Sequence, residues 1–118
     1  MNNFFSSFSP QYNLSIYRTL FENAHEGILI TDEKGIIRAV NPAFTLITDY
    51  TAEEAISNKP SFLKSGRHDK RFYASMWKKL RKIGRWNGNV WNRRKNGEIF
   101  LIDLTITSVK SVKEKNTL

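Results

Sequence analysis

The segment Ser65-Gly66-Arg67-His68-Asp69 contains the three residue types of a nucleophilic triad: serine, histidine and aspartate. A hydrolytic relay needs these side chains in a line, and they normally converge from separate parts of a fold. Three residues this close along the chain cannot easily form such a line. We therefore expect Asp69 to cap a helix and His68 to pack or hydrogen-bond locally, and we predict that the protein is not an enzyme.

Other reactive sites are also poorly supported. His25 and His68 are the only two histidines, and neither has a partner at metal-ligand spacing, so the sequence predicts no zinc site. The adjacent Glu53 and Glu54 suit a helix start better than an acid–base pair. The chain has no cysteine, which excludes disulfides, thiolate metal sites and cysteine nucleophiles.

Large aromatic side chains offer a site that would bind rather than react. If a helix and a curved sheet brought them together, they would stack on a flat heterocycle. The alternative is a well-filled core, because large apolar residues at helical spacing usually pack against one another. The residues concerned are Phe72, Tyr73, Trp77, Trp86 and Trp91.

The formal charge of +8 raises a second possible function, a small basic nucleic-acid-binding protein. The lysines and arginines are spread over several stretches, however, and form no single dense block. Solvated helix and strand faces have this pattern, so our leading interpretation includes no nucleic-acid partner. The candidate contacts for the alternative are Arg67, Lys70, Lys78, Lys79, Arg93 and Arg94.

Length and hydropathy indicate one domain without a membrane anchor. A chain of 118 residues is the usual size of one domain. No window approaches the roughly 18 consecutive apolar residues of a membrane span, and the N-terminus lacks the basic start of a secretion signal. We expect a cytoplasmic protein, or a cytoplasmic piece of a larger one.

The first half of the chain reads as a helix and a hairpin. We expect a flexible lead-in over residues 1–11 and an amphipathic helix over 12–24, because apolar residues recur there at helical spacing. Residues 27–32 and 36–41 alternate as two strands. Between them Asp32 begins a turn in which Gly35 takes the left-handed conformation.

Helix-start signals dominate the middle of the chain. Asn41-Pro42 predicts a capped helix start, and Thr51-Ala52-Glu53-Glu54 is a capping box. A loop follows over 58–66. The longest helix is expected to begin after Asp69 and to end at Gly84.

A long hairpin is predicted over residues 85–106, where Asn96-Gly97 separates two runs rich in aromatic and β-branched residues. This dipeptide favours a type I′ turn, in which both central residues have positive φ. Strand alternation assigns one face of the second strand to the core. That face consists of Phe100, Ile102, Leu104 and Ile106.

The order of helices and strands predicts an α+β fold. Hairpins at both ends favour an antiparallel sheet, and the helices between them must cover one of its faces.

Three motifs resemble the PAS sensor domain, of the type found in bacterial diguanylate cyclase and phosphodiesterase signalling proteins. They are Asn41-Pro42-Ala43-Phe44, the segment Ser65-Gly66-Arg67-His68-Asp69, and Trp86 with Gly88, Trp91 and Asn92-Arg93-Arg94-Lys95-Asn96-Gly97. The resemblance runs from about Phe21 to Val109.

The resemblance implies a PAS-like antiparallel sheet of five strands, with helices on one face that enclose a cavity. It also implies a sensory module that binds a small ligand or dimerises, and that regulates an effector in the same chain, such as a diguanylate cyclase. The N-terminal helix would form the contact of a homodimer, as it often does in this family.

The resemblance leaves the cofactor open. The light-sensing flavin branch forms a cysteine adduct, which this cysteine-free chain cannot form. The branch that holds FAD non-covalently has counterparts of Trp77, Trp86, Gly88 and Asn92, but its Gly-x-Asn pattern is missing from residues 58–62. FAD therefore stays a possible cofactor. Haem, which would depend on His68 alone, is not favoured.

The family's last, central strand should follow Val109, but the remaining residues are few and polar. We therefore expect a PAS domain over residues 25–112 that lacks its last strand, followed by a polar tail over 113–118. The N-terminal segment or a second subunit would fill the gap, so segment exchange is one form of the expected dimer.

These observations lead to one hypothesis: a non-enzymatic PAS sensory module whose ligand pocket lies between the long helix and the hairpin. The candidate pocket residues are Phe44, Tyr73, Met76, Trp77, Leu80, Val90, Asn92, Phe100, Ile102 and Leu104.

Overall fold

Four strands and several short helices make up residues 9–110, the part of the chain that this computed structural model describes. In chain order they are α1 (Pro10–Asn23), β1 (Gly27–Thr31), β2 (Ile37–Val40), α2 (Pro42–Thr48), α3 (Ala52–Ala55), a 3₁₀ turn (Pro60–Leu63), α4 (Lys70–Ile83), β3 (Arg85–Arg93) and β4 (Ile99–Ser108). None of the helices in this region is both long and apolar enough to cross a bilayer.

The predicted helix ends are confirmed. The side chain of Asn41 accepts a hydrogen bond from the N–H of Phe44 and so caps α2. Thr51 and Glu54 form both hydrogen bonds of the capping box. At α4, Asp69 caps the start, and the chain leaves the helix through Gly84 in the left-handed conformation, at φ +78°.

Helix α1 begins at Pro10, two residues before the predicted start, because the Ser9 hydroxyl accepts the N–H of Tyr12. Most of the predicted lead-in (1–11) and the whole predicted tail (113–118) lie outside the described residues.

Both hairpins use the same turn, and this corrects one prediction. In the β3–β4 turn only Gly97 has positive φ, whereas a type I′ turn would require it at Asn96 as well. The N–H of Gly97 donates to the carbonyl of Arg94, and the N–H of Arg94 donates to the carbonyl of Glu98. This is a three-residue loop that ends in a left-handed glycine. Gly35 ends the β1–β2 turn in the same way, as predicted.

The prediction of a wholly antiparallel sheet is wrong. The strand order is β2-β1-β4-β3, and β1 pairs with β4 in parallel, from Gly27 opposite Leu104 to Thr31 opposite Ser108. Each hairpin turn fixes the direction of its own two strands and not the direction of one hairpin against the other. The α+β class and the PAS-like arrangement are confirmed, with a mixed sheet of four strands.

The direct pairing of β1 with β4 also removes the expected gap in the sheet. The N–H of Val109 extends this pairing by donating to the carbonyl of Thr31. Within residues 9–110, the sheet therefore has no gap between β1 and β4, and an exchanged segment in the dimer stays a prediction.

The core lies between the sheet and the helices α2, α3 and α4. The predicted inner face of β4 is confirmed: Ile102, Leu104 and Ile106 are buried, and Phe100 is half-buried against them. Neighbouring residues of β4, such as Leu101 and Asp103, are exposed on the other face. The helices thus cover one face of the sheet, as expected.

One contact joins α4 to the far hairpin. The indole ring of Trp77 lies directly on the backbone of Gly35, and a Cβ added to Gly35 would come within 1.6 Å of the ring. Gly35 is therefore needed for two reasons, its φ of +84° and the space that the ring occupies.

Replacing Gly35 with alanine should lower the free energy of unfolding by about 2–4 kcal/mol, because a left-handed alanine costs roughly 1 kcal/mol and overpacking typically costs 1–3 kcal/mol. Gly97→Ala is the matched control: its φ is +95°, but nothing lies within 4 Å of the added Cβ. The free energy of unfolding of the control, measured by urea denaturation, should fall by only about 1 kcal/mol. Equal losses in the two variants would mean that the Trp77 contact is not formed.

Candidate functional site

A small cavity lies between α4 and the segment that enters the 3₁₀ turn. Its volume is about 60 Å³, room for a few water molecules. The lining residues are Lys59, Pro60, Ser61, Tyr73, Met76, Trp77 and Leu80.

The structure divides the ten predicted pocket residues into two groups. Those on α4 line the cavity: Tyr73, Met76, Trp77 and Leu80. The remaining six form the inner layer of the core or pack against it: Phe44, Val90, Asn92, Phe100, Ile102 and Leu104. Their role in ligand binding stays a prediction.

The sequence reasoning missed the other wall of the cavity, Lys59 to Ser61. This segment has no hydrophobic periodicity, so the sequence predicts a loop there. Pro60 was the available signal, because a proline suits the first position of a short helical turn. That turn buries Leu63 and holds the wall in place.

Two polar groups, one on α4 and one on β3, are buried without a hydrogen-bond partner: the hydroxyl of Tyr73, which lines the cavity, and the side-chain Nδ2 of Asn92, which does not. Asn92 lies on the inner face of β3, opposite Phe100. An unsatisfied buried polar group costs about 1–3 kcal/mol. Burial also raises the pKa of Tyr73, so the phenol keeps its proton and can donate.

Residues Lys64 to Asp69 run beside the edge of β3, and Ser65, His68 and Asp69 accept hydrogen bonds from three different backbone N–H groups. Nε2 of His68 accepts the backbone N–H of Trp91 at 3.0 Å, and the imidazole stacks on Phe72 with ring centroids 3.8 Å apart. Lys64 forms an isolated bridge with Asn92 of β3. The predictions that Asp69 caps α4 and that His68 packs locally, on Phe72, are confirmed, whereas the hydrogen bond of His68 joins it to Trp91, 23 residues further along the chain.

The predicted aromatic cluster forms only in part. Phe72, Tyr73 and Trp86 meet edge to face, with Phe72 5.1 Å from Tyr73 and 5.9 Å from Trp86 between ring centroids. The Trp86 ring lies over Gly88, where a Cβ would be 3.0 Å from the ring. Trp91 is on the opposite face of β3, because strand residues alternate, and its ring is covered by the Arg67 guanidinium at 4.2 Å.

The tip of the β3–β4 hairpin is fastened to α2 and α3. The Arg94 guanidinium donates to the carbonyl of Ile47 and lies 4.0 Å above the ring of Phe100. The backbone N–H of Lys95 donates to Thr48, and its ammonium pairs with Glu54. The Lys95 ammonium lowers the pKa of Glu54, and the pKa of Lys95 rises in turn.

Within residues 9–110, His, Asp and Glu side chains do not gather in any group of three that could hold a metal ion.

Comparison with known proteins agrees with this architecture. The profile of the PAS domain family matches residues 25–118. The chain belongs to the PAS domain family.

Two curated relatives place this PAS domain among regulatory and sensory proteins. The chain is 31% identical over 99 residues to a nitrogen fixation regulatory protein of Klebsiella oxytoca, covering 84% of this chain and 20% of that protein. It is 36% identical over 86 residues to a blue-light photoreceptor of Listeria innocua, covering 70% of this chain and 34% of that protein. The chain therefore spans about a fifth to a third of these relatives.

Solved structures show the same fold. A domain of a sensory box sensor histidine kinase/response regulator from Geobacter sulfurreducens superposes with a TM-score of 0.71 at 25% identity, and the match covers 84% of this chain and 86% of that one.

The interior does not fit FAD as it stands. Pockets for drug-sized ligands measure about 300–1,000 Å³, whereas the cavity beside α4 measures about 60 Å³. The ring of Trp77 is fixed on Gly35, which limits how far this part of the wall can withdraw. The unpartnered groups of Tyr73 and Asn92 suit a polar ligand, but the available volume suits a small one.

Proposed function

We propose that this PAS domain is a non-catalytic sensory module that binds a small polar ligand between α4 and the hairpin. It would act as a homodimer and regulate an effector in the same chain, such as a diguanylate cyclase. The names of its relatives, a nitrogen fixation regulator and a photoreceptor, support a role in sensing.

The proposal depends on one observation: the Tyr73 hydroxyl on α4 and Nδ2 of Asn92 on β3 are among the buried polar atoms that lack a hydrogen-bond partner in the described part of the chain. Natural cores pair nearly all of their buried polar atoms, so an exception calls for a specific reason. A ligand with a hydrogen-bond acceptor would satisfy Nδ2 of Asn92, and the Tyr73 hydroxyl can donate or accept. Leucine and phenylalanine would fill the same positions without this cost.

The expected ligand is smaller than a flavin. FAD would enter only if α4 or residues 59–61 moved outward, so it is the less favoured occupant. A displacement of α4 would also break the contact between Trp77 and Gly35. A ligand that binds the closed and displaced arrangements unequally would shift their populations, and this shift would be the signal.

The dimer is proposed to form through α1. No residue of this helix is buried, and several of its large apolar side chains are about half exposed, among them Leu14 at 58% and Leu20 at 59%. A helix with such a stripe gains stability by burying it against another surface. Because β1 and β4 already pair with each other, this contact needs no exchanged strand.

Asn92→Leu and Tyr73→Phe should each leave the ligand-free protein as stable as the parent or raise its free energy of unfolding by about 1 kcal/mol, because each removes an unsatisfied polar atom. Asn41→Leu is the control, since Asn41 is equally buried but fully hydrogen-bonded. The free energy of unfolding of this control should fall by about 3 kcal/mol or more.

Native mass spectrometry of each purified protein should show a bound small molecule with the parent and a weaker signal with the two pocket variants. The proposal would be contradicted if the Asn92 and Tyr73 variants lost as much free energy of unfolding as the Asn41 variant.

Leu14→Glu combined with Leu20→Glu should convert a dimer into a monomer in sedimentation velocity, because buried carboxylates oppose the helix contact. Leu46→Glu serves as the control, since Leu46 is 78% exposed but lies on α2. It should leave the dimer intact. A monomeric parent protein at high concentration, or an equal effect of Leu46→Glu, would rule out α1 as the interface.

A further inference from the structure

All charged side chains on the exposed surface of helix α4 are cationic, and its other exposed residues are Ala74, Ser75 and Ile83. Six of its fourteen residues are lysine or arginine, none is acidic, and all six are exposed. They are Lys70, Arg71, Lys78, Lys79, Arg81 and Lys82.

The helical repeat gathers these charges into a stripe opposite the buried face. Arg71, Lys78 and Lys82 lie within about 40° of one another around the helix axis and span about 16 Å along it. Only the small residues Ala74 and Ser75 lie between them on this face. The stripe is therefore flat, accessible and free of bulky side chains.

Carboxylates of the domain neutralise little of the positive charge on α4. Arg71 has a carboxylate partner, Asp69, at 3.7 Å, and its own side chain is 96% exposed. In the described part of the chain, no carboxylate lies within 4 Å of the ammonium groups of Lys78, Lys79 or Lys82. Some guanidinium groups are engaged otherwise: Arg94 bonds to Ile47, Arg67 lies over Trp91, and on α4 itself Arg81 lies 5.8 Å from the ring of Trp77.

The chemistry of this face discriminates between anionic partners. A protein interface needs an apolar or aromatic centre, and the stripe has none. A helix that lies on a membrane inserts apolar residues beside its basic ones, but the apolar face of α4, with Met76 and Leu80, is buried against the sheet. A row of regularly spaced phosphates requires only cations, and a helix of about 21 Å lies opposite about a dozen duplex phosphates.

We propose that the outer face of α4 binds the phosphate backbone of nucleic acid without sequence preference. The stripe carries charge and small residues and no aromatic platform for stacking bases, which is the pattern of backbone recognition. This surface is opposite the ligand cavity on the same helix. Binding at one side would therefore bear on the helix that forms the wall of the other.

The test is fluorescence anisotropy with two labelled 24-bp DNA duplexes of unrelated sequence, between about 50 and 200 mM salt. The parent protein should bind both equally, and its affinity should fall roughly 40- to 150-fold over this range if three to four phosphates are contacted. The triple variant Arg71→Gln, Lys78→Gln, Lys82→Gln should bind at least about 10-fold more weakly at low salt and show a shallower salt dependence.

A second triple variant, Arg18→Gln, Lys34→Gln, Arg85→Gln, removes the same three charges from the total of +8 at exposed positions outside α4. It should bind almost as the parent does, and circular dichroism should show both variants folded. If the two variants lost the same amount of DNA affinity, net charge alone would explain the binding, and the proposal would be overturned. Binding to vesicles with one quarter anionic lipid, in the absence of DNA binding, would also overturn it.

Discussion

A single buried side-chain amide holds the architecture of this PAS domain together. Asn41 is 1% exposed, and all of its side-chain polar groups are used. Its oxygen accepts the N–H of Ile28 at 2.8 Å and that of Phe44 at 3.1 Å, which ties the first strand to the start of α2. Its nitrogen donates to the carbonyls of Phe21 and Glu26, at 3.3 and 3.0 Å. The amide thus links the end of α1, the first strand and α2 through four hydrogen bonds. Removing it would leave several buried groups unpaired at once.

The contrast between Asn41 and Asn92 connects stability with the proposed function. Both side chains are buried, but one is fully bonded and the other retains an unused donor. Natural proteins usually depart from good packing and pairing where they bind something. Around Asn92 the domain is otherwise firmly fastened, with Trp77 resting on Gly35 at one end and Arg94 bonded to Ile47 at the other. A ligand that enters this interior would therefore act on a rigid frame, in which a small displacement of α4 is transmitted rather than absorbed.

Local features of this fold could be predicted from sequence, and non-local ones could not. The caps at Asn41 and Asp69 depend on side chains within three residues, and the turn at Gly35 depends on one backbone conformation, so their signals are short-range. The parallel pairing of β1 with β4 joins residues more than seventy positions apart, and no turn chemistry encodes it. The same limit applies to the cavity. Its helical wall followed from the periodicity of α4, whereas the wall at Pro60 is set by where an aperiodic segment folds back.

The role of Asn41 can be tested most directly by native-state hydrogen exchange of the Asn41→Asp variant. Aspartate keeps both acceptor bonds, but it loses the donor bonds to Phe21 at the end of α1 and to Glu26 just before β1, and it places a carboxylate oxygen beside those two carbonyls. We predict that the amides of α1 exchange at least about 10-fold faster, while those of β1 and β4 keep their protection relative to one another. Unchanged protection of α1, or uniform loss across the whole domain, would contradict the view that this one side chain couples α1 to the sheet.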